Sequence, residues 1–248
     1  MNRNEFLDAL PLTRIVLRLT SASLEICTDT IDDVHVMASG ADGDVKALNI
    51  SVQGEQLLVE QPAKTLARNP VSSSWLQITI RVPQSWKGQL EARTVSGWIS
   101  IRGLSGTDLS LDSVSGLITA SALQFHTMSL RTVTGDIRSG GLMCFSLTLG
   151  STSGSISMQE CSFTRCSVSS ITAPVTLSLC APFQAISGSS VLGDLIVDAP
   201  IDRCNASIRS VSGRISASGV FIDEDAASSI QFNTVSGNLD LTRLDTEA

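Results

Sequence analysis

The residues of this 248-residue chain that could do chemistry are few and scattered. Its two histidines, His35 and His126, have no serine or cysteine placed to form a catalytic triad with them. Two aspartates, Asp136 and Asp194, could act as acid and base in glycoside cleavage if the fold brought their carboxyl groups within about 10 Å. The elements that carry these aspartates therefore decide between an enzyme and a non-enzymatic protein.

The six cysteines are the other candidates for chemistry or metal binding. None belongs to a Cys-x-x-Cys pair and none has a neighbouring histidine, so their spacing does not predict a zinc site. In a reducing compartment we expect them to be small buried apolar residues. We predict no metal and no cofactor. The cysteines are Cys27, Cys144, Cys161, Cys166, Cys180 and Cys204.

A four-residue phrase, Ser/Thr-Val-Ser/Thr-Gly, recurs in exact or degraded form eight times after residue 89. The last residues of successive phrases are 19, 19, 19, 19, 20, 20 and 24 residues apart. A nearly fixed period of this length indicates a repeat architecture. The phrases end at Gly97, Gly116, Gly135, Gly154, Gly193, Gly213 and Gly237, with Ala173 ending the fifth copy.

Aliphatic residues keep fixed positions relative to these glycines. Two residues after the glycine stands Ile, Val or Leu in every repeat, beginning with Ile99 and Ile118. Polar residues alternate with the aliphatic ones, a period of two that is typical of β-strands. A single repeat buries no core, whereas stacked repeats bury a continuous one. We therefore predict an all-β protein, a single-stranded right-handed parallel β-helix (solenoid) with coils of about 19–20 residues.

Residues 1–89 follow the repeat poorly but still have strand character. We expect strands at 15–19, 24–27, 34–37, 48–52, 57–59 and 76–82, with turns at 40–44, 53–54 and 69–74. This segment should form an irregular β cap, because an open end would expose strand edges. Residues 90–248 should hold the regular coils and a C-terminal cap, with the acidic tail 240–248 at the far end. The two parts would form one continuous domain over 12–245.

The repeated phrase also predicts the chemistry of the turn. Glycine permits a positive φ or a close approach of backbones, and the flanking hydroxyls can satisfy the backbone groups of the turn. These hydroxyls form a row that we expect at the surface, where turn chemistry explains them without a ligand and glycan binding is the alternative. The row is Thr94, Ser113, Thr132, Ser151, Ser170, Ser190, Ser210 and Thr234.

Stacked coils also place the candidate chemical groups relative to one another. Asp136 and Asp194 would lie three coils apart, about 14 Å, too far for a carboxylate pair. We therefore predict no catalytic residue. Cys161 and Cys180 would stand on adjacent coils within disulfide range, although free thiols are expected. Trp75, Trp86 and Trp98 fall near the junction of cap and coils, where they would plug the open end or stack against a sugar.

The repeats resemble a known bacterial family. The phrase Thr-Val-Ser-Gly-x-Ile, first seen at Thr94–Ile99, is similar to that of the β-helical domains of unknown function named "putative adhesin". The preceding segments Leu76–Pro83 and Leu90–Gly97 also resemble the start of that family's repeats. The similarity covers residues 12–243. It implies a β-helical scaffold and brings no catalytic motif; many relatives carry a membrane anchor or a signal.

Composition and charge limit the partners. The net charge of −7 argues against nucleic acid and anionic membranes, which favour a basic surface. No segment reaches the ~20 apolar residues of a membrane span, and Asn4, Glu5 and Asp8 interrupt any signal peptide. We expect a cytoplasmic protein, with a surface location if a partner anchors it.

The sequence thus predicts a non-enzymatic structural or interaction protein. Its faces or ends would bind a protein partner or a second copy of the chain. The alternative is a carbohydrate-binding or carbohydrate-cleaving β-helix.

Overall fold

The computed structural model describes residues 1–9, 12–62 and 75–244, and nearly all regular structure in them is β-strand. The first part contains β1 (Asn2–Asp8), β2 (Arg14–Arg18), β3 (Ser23–Asp29), β4 (Asp33–Gly40), α1 (Asp42–Ala47), β5 (Asn49–Gln53), β6 (Gln56–Glu60) and β7 (Leu76–Pro83). The expected turn at 69–74 lies outside the described residues, and the turn expected at 40–44 is largely replaced by α1, which buries Val45. No helix in the described ranges is long and apolar enough to cross a membrane.

The repeat region contains longer strands that bend at corners. Its strands are β8 (Gln89–Thr94), β9 (Ile99–Arg102), β10 (Ser105–Ser113), β11 (Ile118–Thr132), β12 (Ile137–Ser151), β13 (Ile156–Ser170), β14 (Val175–Leu179), β15 (Ala185–Ser189), β16 (Leu195–Ala199), β17 (Arg203–Arg209), β18 (Ile215–Ser218), β19 (Phe221–Ile222), β20 (Ser229–Asn233) and β21 (Leu239–Arg243). All pairings among these strands are parallel.

Strands of successive repeats pair in a register of one repeat. Leu109 pairs with Leu90 on one side and with Met128 on the other, and Met128 pairs with Leu147. Each partner is therefore 19 residues away in the chain. The aliphatic positions that align in the sequence are thus neighbours in space. The prediction of an all-β protein is confirmed, and the stacked coils give a solenoid-like architecture.

The core lies between the faces of the coils and consists of stacked aliphatic side chains. Ile118, Ile137 and Ile156 stack on one face, and Leu111 and Leu130 stack on another, all nearly inaccessible to solvent. Burying one such side chain contributes about 1.5–3 kcal/mol to folding. A narrow interior filled by Ile, Val and Leu explains why the chain needs few aromatic residues.

A second corner follows the repeated turn and was not predicted. Six residues after the corner glycine, the backbone takes a positive φ at Gly103 (73°), Ala122 (52°), Gly141 (67°) and Glu160 (50°). The left-handed conformation bends the strand between two faces of the coil. Glycine adopts it without strain, whereas alanine and glutamate do not.

The N-terminal end of the stack is closed by antiparallel strands. β2 and β3 lie one coil inside this end, because β2 sits between β6 and β8 and β3 sits between β7 and β9. β4 then pairs antiparallel with β7 and with β1, while β5 pairs antiparallel with β6. Val34, Val36 and Leu48 of this layer are buried.

At the C-terminal end the repeats do not stack in chain order. β20 is inserted between β15 and β17, and β21 is inserted between β16 and β18. The outermost coil is therefore formed by 203–222, and the last strands of the chain lie one coil further in. The expectation that the tail 240–248 covers this end is wrong for Asp240–Arg243, which belong to β21, and 245–248 lie outside the described residues.

Candidate interaction surfaces

The first hydroxyl of each repeated phrase is a structural group of the corner. Gly116 N donates to Ser113 Oγ at 2.9 Å, and Gly97 N donates to Thr94 Oγ1 at 3.2 Å. The same bond closes the corners at Gly193, Gly213 and Gly237. Where the hydroxyl instead donates, as from Ser170 to Ala173 O at 2.7 Å, it satisfies the carbonyl of the corner.

The predicted exposed hydroxyl row is wrong for five of its eight members. Thr94, Ser113, Thr132, Ser151 and Ser170 are buried, and Ser190, Ser210 and Thr234 are half-buried. The reason is the strand alternation, since Leu109 and Leu111 face inward and the next position of the same parity is Ser113. A hydroxyl facing inward at the corner reaches the glycine amide rather than a ligand.

The corner glycines are required by close backbone approach. A Cβ on Gly116 would lie 1.9 Å from Gly97 O, and a Cβ on Gly97 would lie 1.8 Å from Ala22 O. Neither glycine has a positive φ. The corners of adjacent coils therefore pack backbone against backbone, which any side chain would prevent.

The second hydroxyl of the phrase is exposed but already used as a donor. Ser115 Oγ donates to Val95 O at 3.1 Å and Thr134 Oγ1 to Val114 O at 3.3 Å, each linking one coil to the previous one. Hydroxyls engaged in this way are poorly placed to recognise a glycan.

Aliphatic residues between the two hydroxyls form the most regular exposed feature, which we call the aliphatic row. Backbone hydrogen bonds order it from coil to coil, for example Val114 N to Thr94 O and Val235 N to Val191 O. Six of its aliphatic side chains are 41–49% exposed, and the seventh, Val211, is 86% exposed. At ~4.8 Å per coil, eight coils span about 34 Å. The row consists of Val95, Val114, Val133, Ile171, Val191, Val235 and Val211, with Thr152 in the fourth coil.

The aliphatic row was not predicted, although its signal is present in the sequence. The same alternation that turns Ser113 inward turns Val114 outward.

A second exposed apolar group lies on another face. The rings of His126 and Phe145 stack with an interplanar angle of 3° and a centroid distance of 5.2 Å. Met143 and Phe145 are about half exposed and border a groove of about 440 Å³ together with Lys87 and Gln124. His126 thus has an aromatic neighbour in Phe145, and His35 likewise contacts Phe6.

A cavity of about 850 Å³ lies beside the N-terminal layer. Trp86 lines it and is buried, with its Nε1 donating to Leu12 O at 2.8 Å. Of the three tryptophans expected near this junction, Trp86 alone is buried, whereas Trp75 and Trp98 are exposed.

The two candidate acids, Asp136 and Asp194, accept hydrogen bonds from residues of the corners. Asp136 accepts hydrogen bonds from Ser155 N at 3.0 Å and Ser155 Oγ at 2.8 Å, which lower the pKa of its carboxyl group. Asp194 accepts from Asn238 N at 2.7 Å. Each carboxylate thus binds the residue after the glycine of the neighbouring coil. Within the described ranges no three His, Cys, Asp or Glu side chains are grouped to hold a metal ion.

The cysteines are free thiols in the structure. Cys161 is buried and pairs in register with Leu179, while Cys180 is exposed and its Sγ donates to Cys161 O at 3.6 Å. Burial raises the pKa of the Cys144 thiol to about 12 and that of Cys204 to about 11. A thiol with so high a pKa is a poor nucleophile at neutral pH.

The fold is shared with solved bacterial proteins of low sequence identity. A "putative adhesin" from Bacteroides fragilis is 14% identical, with 98% of this chain and 96% of that chain covered and a TM-score of 0.61. A "putative adhesin" from Parabacteroides distasonis is 10% identical, with 98% and 97% covered and a TM-score of 0.60. A "putative lipid binding protein" from the same species is 14% identical, with 99% and 96% covered and a TM-score of 0.53.

These neighbours have no characterised function, and their differing names show that the fold alone does not define a ligand. No curated protein matches the chain in sequence. The model of the Toastrack family, DUF4097, matches residues 12–248. The predicted resemblance is confirmed in this coarser form, an adhesin-like family of unknown function, and the chain belongs to the Toastrack DUF4097 family.

Proposed function

We propose that the protein is a non-enzymatic scaffold, a right-handed parallel β-helix with 19–20-residue coils, that binds a protein partner through its aliphatic row. The observation that carries this function is the row itself. Seven aliphatic side chains on the same corner of the stack are left exposed to water, although solvent-facing positions elsewhere on the strands are mostly polar. Contiguous apolar surface of this kind typically marks an interaction site.

The shape of the row favours a protein partner. It is one side chain wide, and backbone hydrogen bonds hold the backbone of each row residue to the neighbouring coil. A partner that offers an apolar groove or strand face would bury the row without rearrangement of the scaffold. The acidic net charge and the absence of a basic stripe in the row argue against nucleic acid as the partner.

Substitutions in the row test this function. The purified wild-type scaffold should capture a partner protein, and that protein, once purified, should bind the wild-type scaffold directly. The double variant Val114→Lys/Val133→Lys should abolish this binding. Ser110→Lys with Ser129→Lys, on a neighbouring face of the same two coils, is the matched control. Equal capture by the row variant and by wild type would contradict the proposal.

Carbohydrate binding at the His126–Phe145 groove is the second candidate. The exposed stacked rings, with Lys87 and Gln124 at the rim, combine an apolar platform with hydrogen-bonding groups, as sugar sites do. Glycan-array binding that is lost in Phe145→Ala and kept in Val114→Lys would favour this candidate over the protein partner.

A further inference from the structure

The two ends of the stack differ in how their strand edges are treated. At the N-terminal end the outermost parallel strands, β7 and β6, pair with the antiparallel strands β4 and β5, respectively. At the C-terminal end β17 has a partner on its outer side only at Arg203 and Cys204, through β19. Among the described residues, no strand pairs with the outer edge of Asn205–Arg209 or of β18. This end therefore presents unpaired backbone donors and acceptors.

The core is also incompletely covered at this end. Ile208 and Ile215 occupy inward positions of the outermost coil, yet both are partly exposed. Val168 and Val175 occupy the corresponding positions of an inner coil and are buried. An additional layer of strands would remove this exposed apolar surface from water.

Charges at the C-terminal end are separated along the free edge of β17. Glu224 and Asp225, in the connection after β19, are exposed near the start of β17. Arg209 ends β17, and Arg214 follows the next corner. Neither arginine makes an ion pair with any described residue. The edge thus has an acidic end and a basic end.

The two most exposed large apolar side chains of the described residues lie at these same two ends. Phe221, in β19, is 75% exposed beside the start of β17, and Val211, at the corner after β17, is 86% exposed. Each end of the edge therefore combines charge with apolar surface, and the two ends have opposite charge.

We propose that this end binds a second copy of the chain, tail to tail, by antiparallel pairing of the two β17 edges across a two-fold axis. A two-fold axis makes equivalent strands run in opposite directions, so the acidic end of each edge meets the basic end of the other. Glu224 and Asp225 of one copy then face Arg209 and Arg214 of the second, and Phe221 lies beside Val211. Both arginine pairs gain partners in one symmetric contact.

Growth beyond a dimer is not expected. A two-fold contact uses the same end of both copies and therefore closes after two chains. Among the described residues, the outermost strands of the other end are β1 and β5, which join the stack by antiparallel rather than parallel pairing. The proposal rests on the scaffold function only in that both use rigid β surfaces. Of the aliphatic row only Val211 lies in this contact, and the row is tested at Val114 and Val133, so the two proposals can fail separately.

A charge exchange tests the contact. Sedimentation velocity of the full chain over about 5–200 µM should show a monomer–dimer equilibrium. The variants Arg209→Glu/Arg214→Glu and Glu224→Arg/Asp225→Arg should each weaken self-association by about 100-fold, because like charges then face each other. Mixing these two variants should restore the dimer, since every contact in the mixed dimer again joins opposite charges.

The matched control is Arg131→Glu/Arg165→Glu, which makes the same change in net charge as Arg209→Glu/Arg214→Glu, at exposed positions in the middle of the stack, and should dimerise like wild type. Circular dichroism confirms that each variant is folded. A wild type that stays monomeric at all concentrations overturns the proposal. So does a dimer that the charge reversals leave intact, a mixture that stays monomeric, or the formation of long polymers.

Discussion

Leu239 pairs in register with Leu195, although 44 residues separate them in the chain. The pairing places the C-terminal strand β21 inside the stack, with β18 on its other side. The terminal coil thus covers a strand that follows it in sequence. The chain after β16 thus forms the outermost coil first. β20 and β21 then lie between that coil and the coil of β15 and β16.

This insertion predicts which C-terminal residue matters most for stability. Leu239→Ala should lower the free energy of unfolding by about 2–5 kcal/mol, because Leu239 is fully buried between two coils. Ile215→Ala, at the same position of the preceding repeat, should cost about 1 kcal/mol, because Ile215 lies in the outermost coil and is partly exposed. Urea unfolding at equilibrium measures both. An equal or larger loss for Ile215→Ala would contradict the inserted order.

The repeats made the stacked β architecture predictable, while the order of the last coils was not. Every repeat aligned on the corner glycine has an aliphatic residue two positions later, so the core positions could be read directly. Leu239 and Ile215 fit that position equally well, and nothing in the local pattern says which coil lies outside. That choice depends on long-range packing and on the 24-residue interval, whose extra residues provide the return path between Phe221 and Ser229.

The surface was less predictable than the core because polarity was a poor guide at the corner. Ser113 is polar and buried, while Val114 is apolar and exposed. The alternation from Leu109 and Leu111 specifies both, provided that it is continued into the corner. A hydrogen bond from the Gly116 amide makes the inward serine favourable, and the valine is left at the surface.

The corner hydroxyls should contribute to stability in proportion to their burial. Ser113→Ala should lower the free energy of unfolding by about 1–3 kcal/mol, since it leaves the buried Gly116 amide without its acceptor. Ser115→Ala, two residues later, should change it by less than about 0.5 kcal/mol, because that hydroxyl is exposed. Urea unfolding of the two variants beside wild type provides the measurement. Similar losses for both would show that the bond to Gly116 has no special role.

The second corner offers a route to a more stable protein. Glu160 has a φ of 50°, in the left-handed region that glycine occupies at the equivalent position 141. Glu160→Gly should therefore raise the free energy of unfolding by about 0.5–1 kcal/mol, the relief of strain exceeding the entropy cost of glycine. The converse change, Gly141→Ala, should lower it by a similar amount. Thermal unfolding of the two variants would show shifts of opposite sign, and shifts of the same sign would contradict this account.

The buried thiols predict how stability depends on pH in alkaline solution. Burial raises the pKa of Cys144 to about 12 from an ordinary value of 9.0, so the folded state holds this proton over a range where the unfolded state releases it. The free energy of unfolding should therefore fall as the pH rises above about 9. Cys144→Ala should make this fall shallower, whatever its effect at neutral pH. Urea unfolding in reducing buffer between about pH 8 and pH 11 measures the slope. Identical slopes for wild type and Cys144→Ala would mean that the Cys144 thiol is ionised as readily in the folded coil as in the unfolded chain.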